Sequence, residues 1–389
     1  MNIAIFTNNY LPNPYGVSTS VEGFRRAFID AGHTVYVFAP RWGDSVTQKE
    51  ENIFRYPSIK IPTKIDFSLV IPHSSEIEEI IKNLDIDIVH AQHPNLLGTV
   101  AKEWALRKNV PLVFTWHSLY DRYAHYMPFV PEKLSGHLAM KNASEFAQNC
   151  DHIIVPTQSI INIIKKAGVK HNRISVVPSG VDEELFINAD GRKVKKKYNI
   201  ADDMLVLATV SRLTEEKNIL FLARVIAKIL QKNKNVIFLC GGEGNLQREV
   251  QHIFEVINVN ERVIFVGKVN REEVKNYLDA GDIFVYASTS ETQGTIITEN
   301  MYIGKPIVAI GKNGVGDLIE DNVNGLIAQE NEENFISKVQ KLINDRGLRE
   351  KIGKTAYRIA HEKYTAGACA TELEKVYKDV IEQYKIKNK

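Results

Sequence analysis

The chain has 389 residues, of which 44% are hydrophobic and 25% charged. That length predicts two domains, and so ordinary a composition excludes a disordered or fibrous chain. There are 49 Lys+Arg against 47 Asp+Glu, a formal net charge of +2. This lacks the basic excess of an obligate nucleic-acid binder, so the expected partner is a small neutral or locally charged ligand.

Cys150, Cys240 and Cys369 lie far apart without a CxxC pair. They read as buried core thiols rather than as a zinc knuckle or a disulfide framework. Met1–Phe6 has neither the basic region nor the apolar stretch of a signal peptide. No window of about 18 apolar residues is present to span a bilayer. The expectation is a cytoplasmic protein.

From the N-terminus, short apolar runs alternate with helical patterns. Ile3–Phe6, Thr34–Ala39, Asp87–Ala91, Leu112–Thr115, Ile153–Val155 and Ser175–Val177 read as strands buried on both faces of a parallel sheet. Helices fall between them, such as Ser18–Ala31 before Gly32 and Ser159–Ala167 before Gly168, each glycine being a C-terminal stop. The pattern then restarts with Leu205–Val210, Val236–Leu239, Val263–Phe265, Ile283–Tyr286 and Ile307–Ile310. The predicted fold class is α/β, two doubly wound Rossmann-like domains facing a cleft. The stretch from Pro178 to about Ile200 is the boundary, giving domains 1–177 and 178–365. A last helix over about 366–389 is a candidate to cross back to the first domain.

Ligands of open α/β sheets bind beyond the carboxyl ends of the strands. Four segments place polar groups there. Glu291-Thr292-Gln293-Gly294-Thr295 leads from a strand into a helix starting near Gly294 and stopping at Gly304. The free amides of its first turn make a phosphate site. Glu291 lies before that helix and Glu299 about a turn inside, so the two carboxylates would flank a bound diphosphate; the alternative is an ordinary acidic cap. Arg212 and Lys217 follow the strand Leu205–Val210, where they would neutralise a diphosphate leaving group or pair with Glu215 or Glu216.

The third segment, Tyr10–Ser18, brings Gly16 and Val17 to a helix start. It is not GxGxxG, and Gly241-Gly242-Glu243-Gly244 makes a similar loop. The fourth segment follows Leu112–Thr115. It carries His117, suited to a sugar hydroxyl or a proton, and Tyr120, Tyr123 and Tyr126. Metal readings are poor. Asp85-Ile86-Asp87 leads into a strand, His90 and His93 lack a third ligand, and HExxH is absent.

Together and in this order, these segments resemble the retaining glycosyltransferases of the GT-B fold, family four, the glycogen-synthase-like group. The E-x7-E pair Glu291/Glu299 is the most specific element. Arg212/Lys217 and Val177-Pro178-Ser179-Gly180-Val181-Asp182 also match. The resemblance implies transfer of a sugar from a nucleotide diphosphate with retention. It implies that His117, Arg212, Lys217 and Glu291 serve catalysis, with Glu291 on the donor sugar and the two cations on the diphosphate. Gly16, Val17, Val269, Gln293, Gly294, Thr295 and Glu299 would bind the donor, Glu299 through the ribose. No metal and no cofactor are expected.

Within the family, Thr292-Gln293-Gly294, His117-Ser118-Leu119-Tyr120, His125-Tyr126-Met127-Pro128 and His93-Pro94-Asn95-Leu96-Leu97-Gly98 look like enzymes that glucosylate diacylglycerol. That implies UDP-glucose as donor and a lipid acceptor such as diacylglycerol. The enzyme would then act as a peripheral protein on the inner face of the cell membrane. Ser118 stands where threonine is common, and Asn300-Met301 replaces alanine-methionine. Ile160–Lys166, Pro131–Gln148 and the basic run Arg192–Lys197 are candidate contacts with an anionic membrane surface; core packing and a solvated helix face are the alternatives. Other readings are a transferase acting on a soluble sugar or another lipid, a UDP-sugar epimerase, and a two-lobed sugar-binding protein.

Overall fold

The computed structural model describes residues 1–13, 16–42, 51–61, 67–120 and 132–388. Tyr15, Tyr123, His125, Tyr126, Met127, Pro128 and Pro131 lie outside the described residues. The chain divides into two compact units, Met1–Gly180 with Ala366–Lys389, and Val181–Thr365.

In the first unit the strands are β1 (Asn2–Phe6), β2 (Thr34–Pro40), β3 (Ile53–Tyr56), β4 (Ser58–Ile61), β5 (Phe67–Val70), β6 (Ile88–Ala91), β7 (Leu112–Thr115), β8 (His152–Val155) and β9 (Ile174–Val176). A parallel sheet runs in the order β3-β2-β1-β6-β7-β8-β9, and β4 and β5 form a separate antiparallel hairpin. Period-two alternation sends Ala4 and Phe6 to one face and Ile3 and Ile5 to the other, and each face meets its own apolar cluster. Residues that are apolar on both faces are why these strands read clearly in the sequence.

The strands missed by that reading, β3 and the β4–β5 hairpin, lie at or outside the sheet edge. Their residues are partly exposed, as at Ile59 and Lys60, and no continuous apolar run marks them.

The last helix, Ala366–Lys387, belongs to this first unit. It supplies Leu373, Tyr377 and Val380 to the cluster around Ile3 and Ile5. Each such buried side chain stabilises by on the order of 2 kcal/mol. Tyr377 stacks on Phe28 at 5.5 Å and its Oη lies 2.5 Å from His90 Nδ1.

The second unit holds β10 (Leu205–Val210), β11 (Val236–Gly241), β12 (Val263–Gly267), β13 (Ile283–Tyr286), β14 (Ile307–Ile310) and β15 (Leu326–Ala328). Its parallel sheet runs β12-β11-β10-β13-β14-β15, so in local numbering the order is 3-2-1-4-5-6, the dinucleotide-fold order. Short β15 was not expected from the sequence.

The units meet in sequence after Gly180, a little later than the expected break before Pro178. The Val177 amide still donates to Val155 O, and the Ser20 and Ser179 hydroxyls are 2.8 Å apart within the first unit. Val181 instead donates to Tyr364 O, in the second unit. The stretch to Ile200, read as the boundary, holds helices at Glu183–Phe186 and Gly191–Lys197.

Candidate active site

In the second unit the strand order reverses between β10 and β13. Ligands of such sheets bind beyond the carboxyl ends at that point. Lys217 follows β10 and Glu291 follows β13, and there they form an ion pair at 2.5 Å.

The same Glu291 oxygen, Oε1, accepts from Tyr286 Oη at 2.8 Å and from Ser288 Oγ at 2.7 Å. Burial pushes this carboxyl up. The Lys217 charge, its hydrogen bond and those from Ser288 and Tyr286 outweigh burial and hold it at about 2. Tyr286 and Ser288 were not picked out from the sequence. Their only signal was their position at and just past the end of an apolar strand.

Lys217 does not open the next long helix. It ends a one-turn 3-10 segment, Glu215–Lys217, and Asn218 in the left-handed conformation separates it from the helix Ile219–Lys232. Arg212 pairs with Glu216 at 2.9 Å, one of the two acidic partners weighed for it. Ser288 and Ser290 both donate to Glu216 O. The loops after β10 and β13 are therefore tied to each other.

Gly242 and Gly244 pack against this loop. A Cβ on Gly242 would lie 1.8 Å from Ser211 O, and one on Gly244 2.1 Å from Leu213 O. Only bare backbone fits there, so close packing against the chain on either side of Arg212 accounts for both glycines.

The helix Thr295–Ile303 starts as expected and stops at Gly304, which is left-handed at φ 82°. Gly294 precedes it at φ 84°, a conformation that favours glycine. The Ile297 amide donates to Gly294 O; it had been expected to lack a partner. The amide-rich N-terminus is thus confined to the residues around Thr295, with Gln293 buried beside it. Val269 is partly buried beyond β12 and packs on the adjoining apolar cluster.

Glu299, 5% exposed at its side chain, accepts from Arg271 Nη2 at 2.7 Å. Arg271 was also missed by the sequence reading, because it lies 28 residues away in an acidic and basic surface-like string.

In the first unit the corresponding reversal falls between β1 and β6. Asn8 follows β1, and its Nδ2 donates to Asn95 Oδ1 while its Oδ1 accepts from the Leu97 amide. The Asn8 amide donates to His93 Nδ1. A Cβ on Gly98 would sit 1.8 Å from His93 O. The His93–Gly98 segment is thus locked to the end of β1.

His117 Nε2 donates to Gln92 Oε1 at 2.6 Å, so the neutral ring keeps its acceptor lone pair on Nδ1. Burial, then the nearby His93 and His90, hold its pKa well below the usual histidine value. Gly16 begins the helix Gly16–Asp30 with open space around its missing Cβ, and Val17 packs partly into the core.

Of the sequence-chosen residues, the structure brings together Arg212, Lys217, Glu291, Gln293, Gly294, Thr295 and Glu299 around the loops of the second unit. His117, Gly16 and Val17 fall in the first. Asp87 and Asp85 accept from the Asn2 amide and side chain. Among the described residues, no group of three or more His, Cys, Asp or Glu could hold a metal ion. The isoleucines of Ile160–Lys166 serve core packing, with Ile160 and Ile164 buried.

These paired doubly wound units are the GT-B architecture. Anabaena HepE, solved in complex with UDP and glucose, superimposes with a TM-score of 0.77 over 97% of this chain and 100% of its own, at 18% identity. The alpha-monoglucosyldiacylglycerol synthase of Acholeplasma laidlawii is 28% identical, over 98% of each chain. The enzyme of the same name from Streptococcus pneumoniae is 28% identical over 84% of this chain and 75% of its own.

Residues 14–185 match the family described as Glycosyltransferase Family 4, and residues 190–359 match Glycosyl transferases group 1. The chain belongs to this two-domain glycosyltransferase family. It is an enzyme that transfers a glycosyl group, which sets aside the epimerase and the sugar-binding protein.

Proposed function

We propose that this enzyme moves glucose from UDP-glucose to diacylglycerol with retention of configuration, at the cytoplasmic face of a membrane. The observation that carries the donor half is the Lys217–Glu291 pair at the β10/β13 reversal, beside the N-terminus of the helix Thr295–Ile303. A diphosphate placed on that helix end gains its dipole and the cations Arg212 and Lys217. Glu291, kept ionised, then accepts from hydroxyls of the sugar.

As the bond between the anomeric carbon and the diphosphate oxygen breaks, negative charge grows on the leaving phosphate. Preorganised cations and amides stabilise that charge. The acceptor oxygen bonds the same face of the anomeric carbon, and its proton passes to the leaving phosphate oxygen. This route requires no metal and no protein base. His117, neutral and with its acceptor nitrogen set by Gln92, suits a sugar hydroxyl.

The lipid acceptor is supported by the two synthases named above. Among the described residues no helix is long and apolar enough to cross a membrane. The helix Gly191–Lys197 exposes Arg192, Lys193, Lys196 and Lys197, a surface that attracts anionic lipid.

Labelled UDP-glucose offered with diacylglycerol in anionic vesicles, and separately with soluble sugars, tests the reading. Label in an α-linked glucolipid is expected. Activity confined to a soluble sugar would remove the lipid acceptor, and a β-linked product would remove retention.

A further inference from the structure

Arg271 sits just past β12, in the 3-10 turn Arg271–Glu273. It is the one ion-pair partner of Glu299 among the described residues. Its guanidinium lies over the Phe186 ring at 5.1 Å. Phe186 in turn meets Tyr302 edge-on at 6.3 Å, and Tyr302 is on the same helix as Glu299. The charge of Asp182 also acts on Arg271.

The segment from Asp182 to Phe186, at the start of the second unit, therefore forms a platform for one guanidinium. That guanidinium holds one carboxylate oxygen of Glu299. A nearly buried carboxylate without such a partner would be expensive to keep ionised and free to change rotamer. The Glu299 carboxylate makes no second hydrogen bond among the described residues, so with Oε1 fixed, Oε2 has a set direction.

We propose that Arg271 is the positioning residue for Glu299 and thereby sets selectivity for ribose over 2′-deoxyribose in the donor nucleotide. This rests on the reading of the donor as a uridine nucleotide sugar whose ribose meets Glu299. A vicinal diol gives two hydrogen bonds to a correctly turned carboxylate, whereas the deoxy sugar can give only one. Loss of the guanidinium lets the carboxylate turn, and the second hydrogen bond is lost with it. Arg271 need not touch the nucleotide.

The test is titration calorimetry of UDP and 2′-deoxy-UDP against the full-length wild type, Arg271→Met and Arg271→Lys. Wild type is expected to prefer UDP by about ten-fold or more, the value of one hydrogen bond to a charged group. Arg271→Met should lose about ten-fold on UDP and little on 2′-deoxy-UDP, so that the preference collapses. Arg271→Lys should restore part of it. In a Glu299→Gln background, Arg271→Met should add almost nothing.

Equal weakening of both nucleotides by Arg271→Met would overturn the proposal, as would a preference that survives the substitution. A wild type that binds UDP but does not discriminate would overturn it while leaving the nucleotide-sugar donor standing. A wild type that binds neither would remove that donor reading as well. If Arg271→Met does not fold, Phe186→Leu removes the platform but keeps the charge, and the same loss of preference is required of it.

Discussion

Replacing Lys217 by alanine probes the charge pair at the centre of the second unit. Glu291 is held at about 2 against an ordinary 4.5. One pKa unit corresponds to ~1.4 kcal/mol, so its ionised form contributes ~3 kcal/mol to stability at pH 7. The folded value is the depressed one. The contribution is therefore complete above about pH 4.5, declines as pH falls, and is gone below about pH 2. Near pH 3 roughly 1 kcal/mol remains.

Lys217 is the foremost group lowering this carboxyl, ahead of Ser288 and Tyr286. In Lys217→Ala those two hydrogen bonds persist, but the buried carboxylate has lost its counter-charge, and most of the ~3 kcal/mol is lost at pH 7. The assay is urea unfolding followed by far-UV circular dichroism between pH 7 and pH 3. Trp42, Trp104 and Trp116 all lie in the first unit, so tryptophan fluorescence does not read the second. The gap between wild type and variant should narrow from ~3 to roughly 1 kcal/mol on acidification. A gap independent of pH would refute the reasoning and point to lost packing instead of lost charge.

Arg212→Ala should lower turnover by about 100-fold, as when one preorganised donor to a developing charge is removed. Its stability cost should be about 1–3 kcal/mol, because Arg212 is partly exposed but its partner Glu216 is nearly buried and loses its counter-charge. Near-normal steady-state turnover in this variant would contradict the diphosphate role. In the first unit, burial holds His90 near 3, while the unfolded chain takes up that proton near 6.5. Stability is then full above pH 6.5, and this residue alone should lower it by roughly 2 kcal/mol by pH 5, with His93, His117 and His152, also held low by burial, adding in the same direction; a tryptophan-detected urea midpoint unchanged over that range would count against it. Gly242→Ala puts a methyl 1.8 Å from Ser211 O at φ +122° and should cost about 2–4 kcal/mol. Gly16→Ala, meeting open space, should stay within about 0.5 kcal/mol, and equal melting temperatures for the two variants would argue against close packing of the glycine loop.

Local features were legible in the sequence. Apolar runs such as Leu112–Thr115 and Ile307–Ile310 fall at their observed strand bounds, because strands buried on both faces need no partner information to be recognised. The restart of the strand pattern near Leu205 marked a second domain. The spacing from Glu291 to Glu299 spans one loop and one helix, so both carboxylates could be placed from local geometry.

Which charge meets which was decided only by the tertiary structure. Lys217 and Glu291 are 74 residues apart and meet because the sheet order sets β10 beside β13. Arg212, read as a partner of the diphosphate or of an acidic neighbour, takes Glu216 in the folded chain. Arg271 became visible only when β12 and the segment around Phe186 brought it to Glu299. Gly242 and Gly244 read from the sequence as a loop open to a ligand, and only the folded backbone showed that Ser211 and Leu213 lie against them. Periodicity and composition record whether a residue is buried, but the partner of a distant charge such as Glu291 or Glu299 depends on strand order and on how the intervening turns and helices pack.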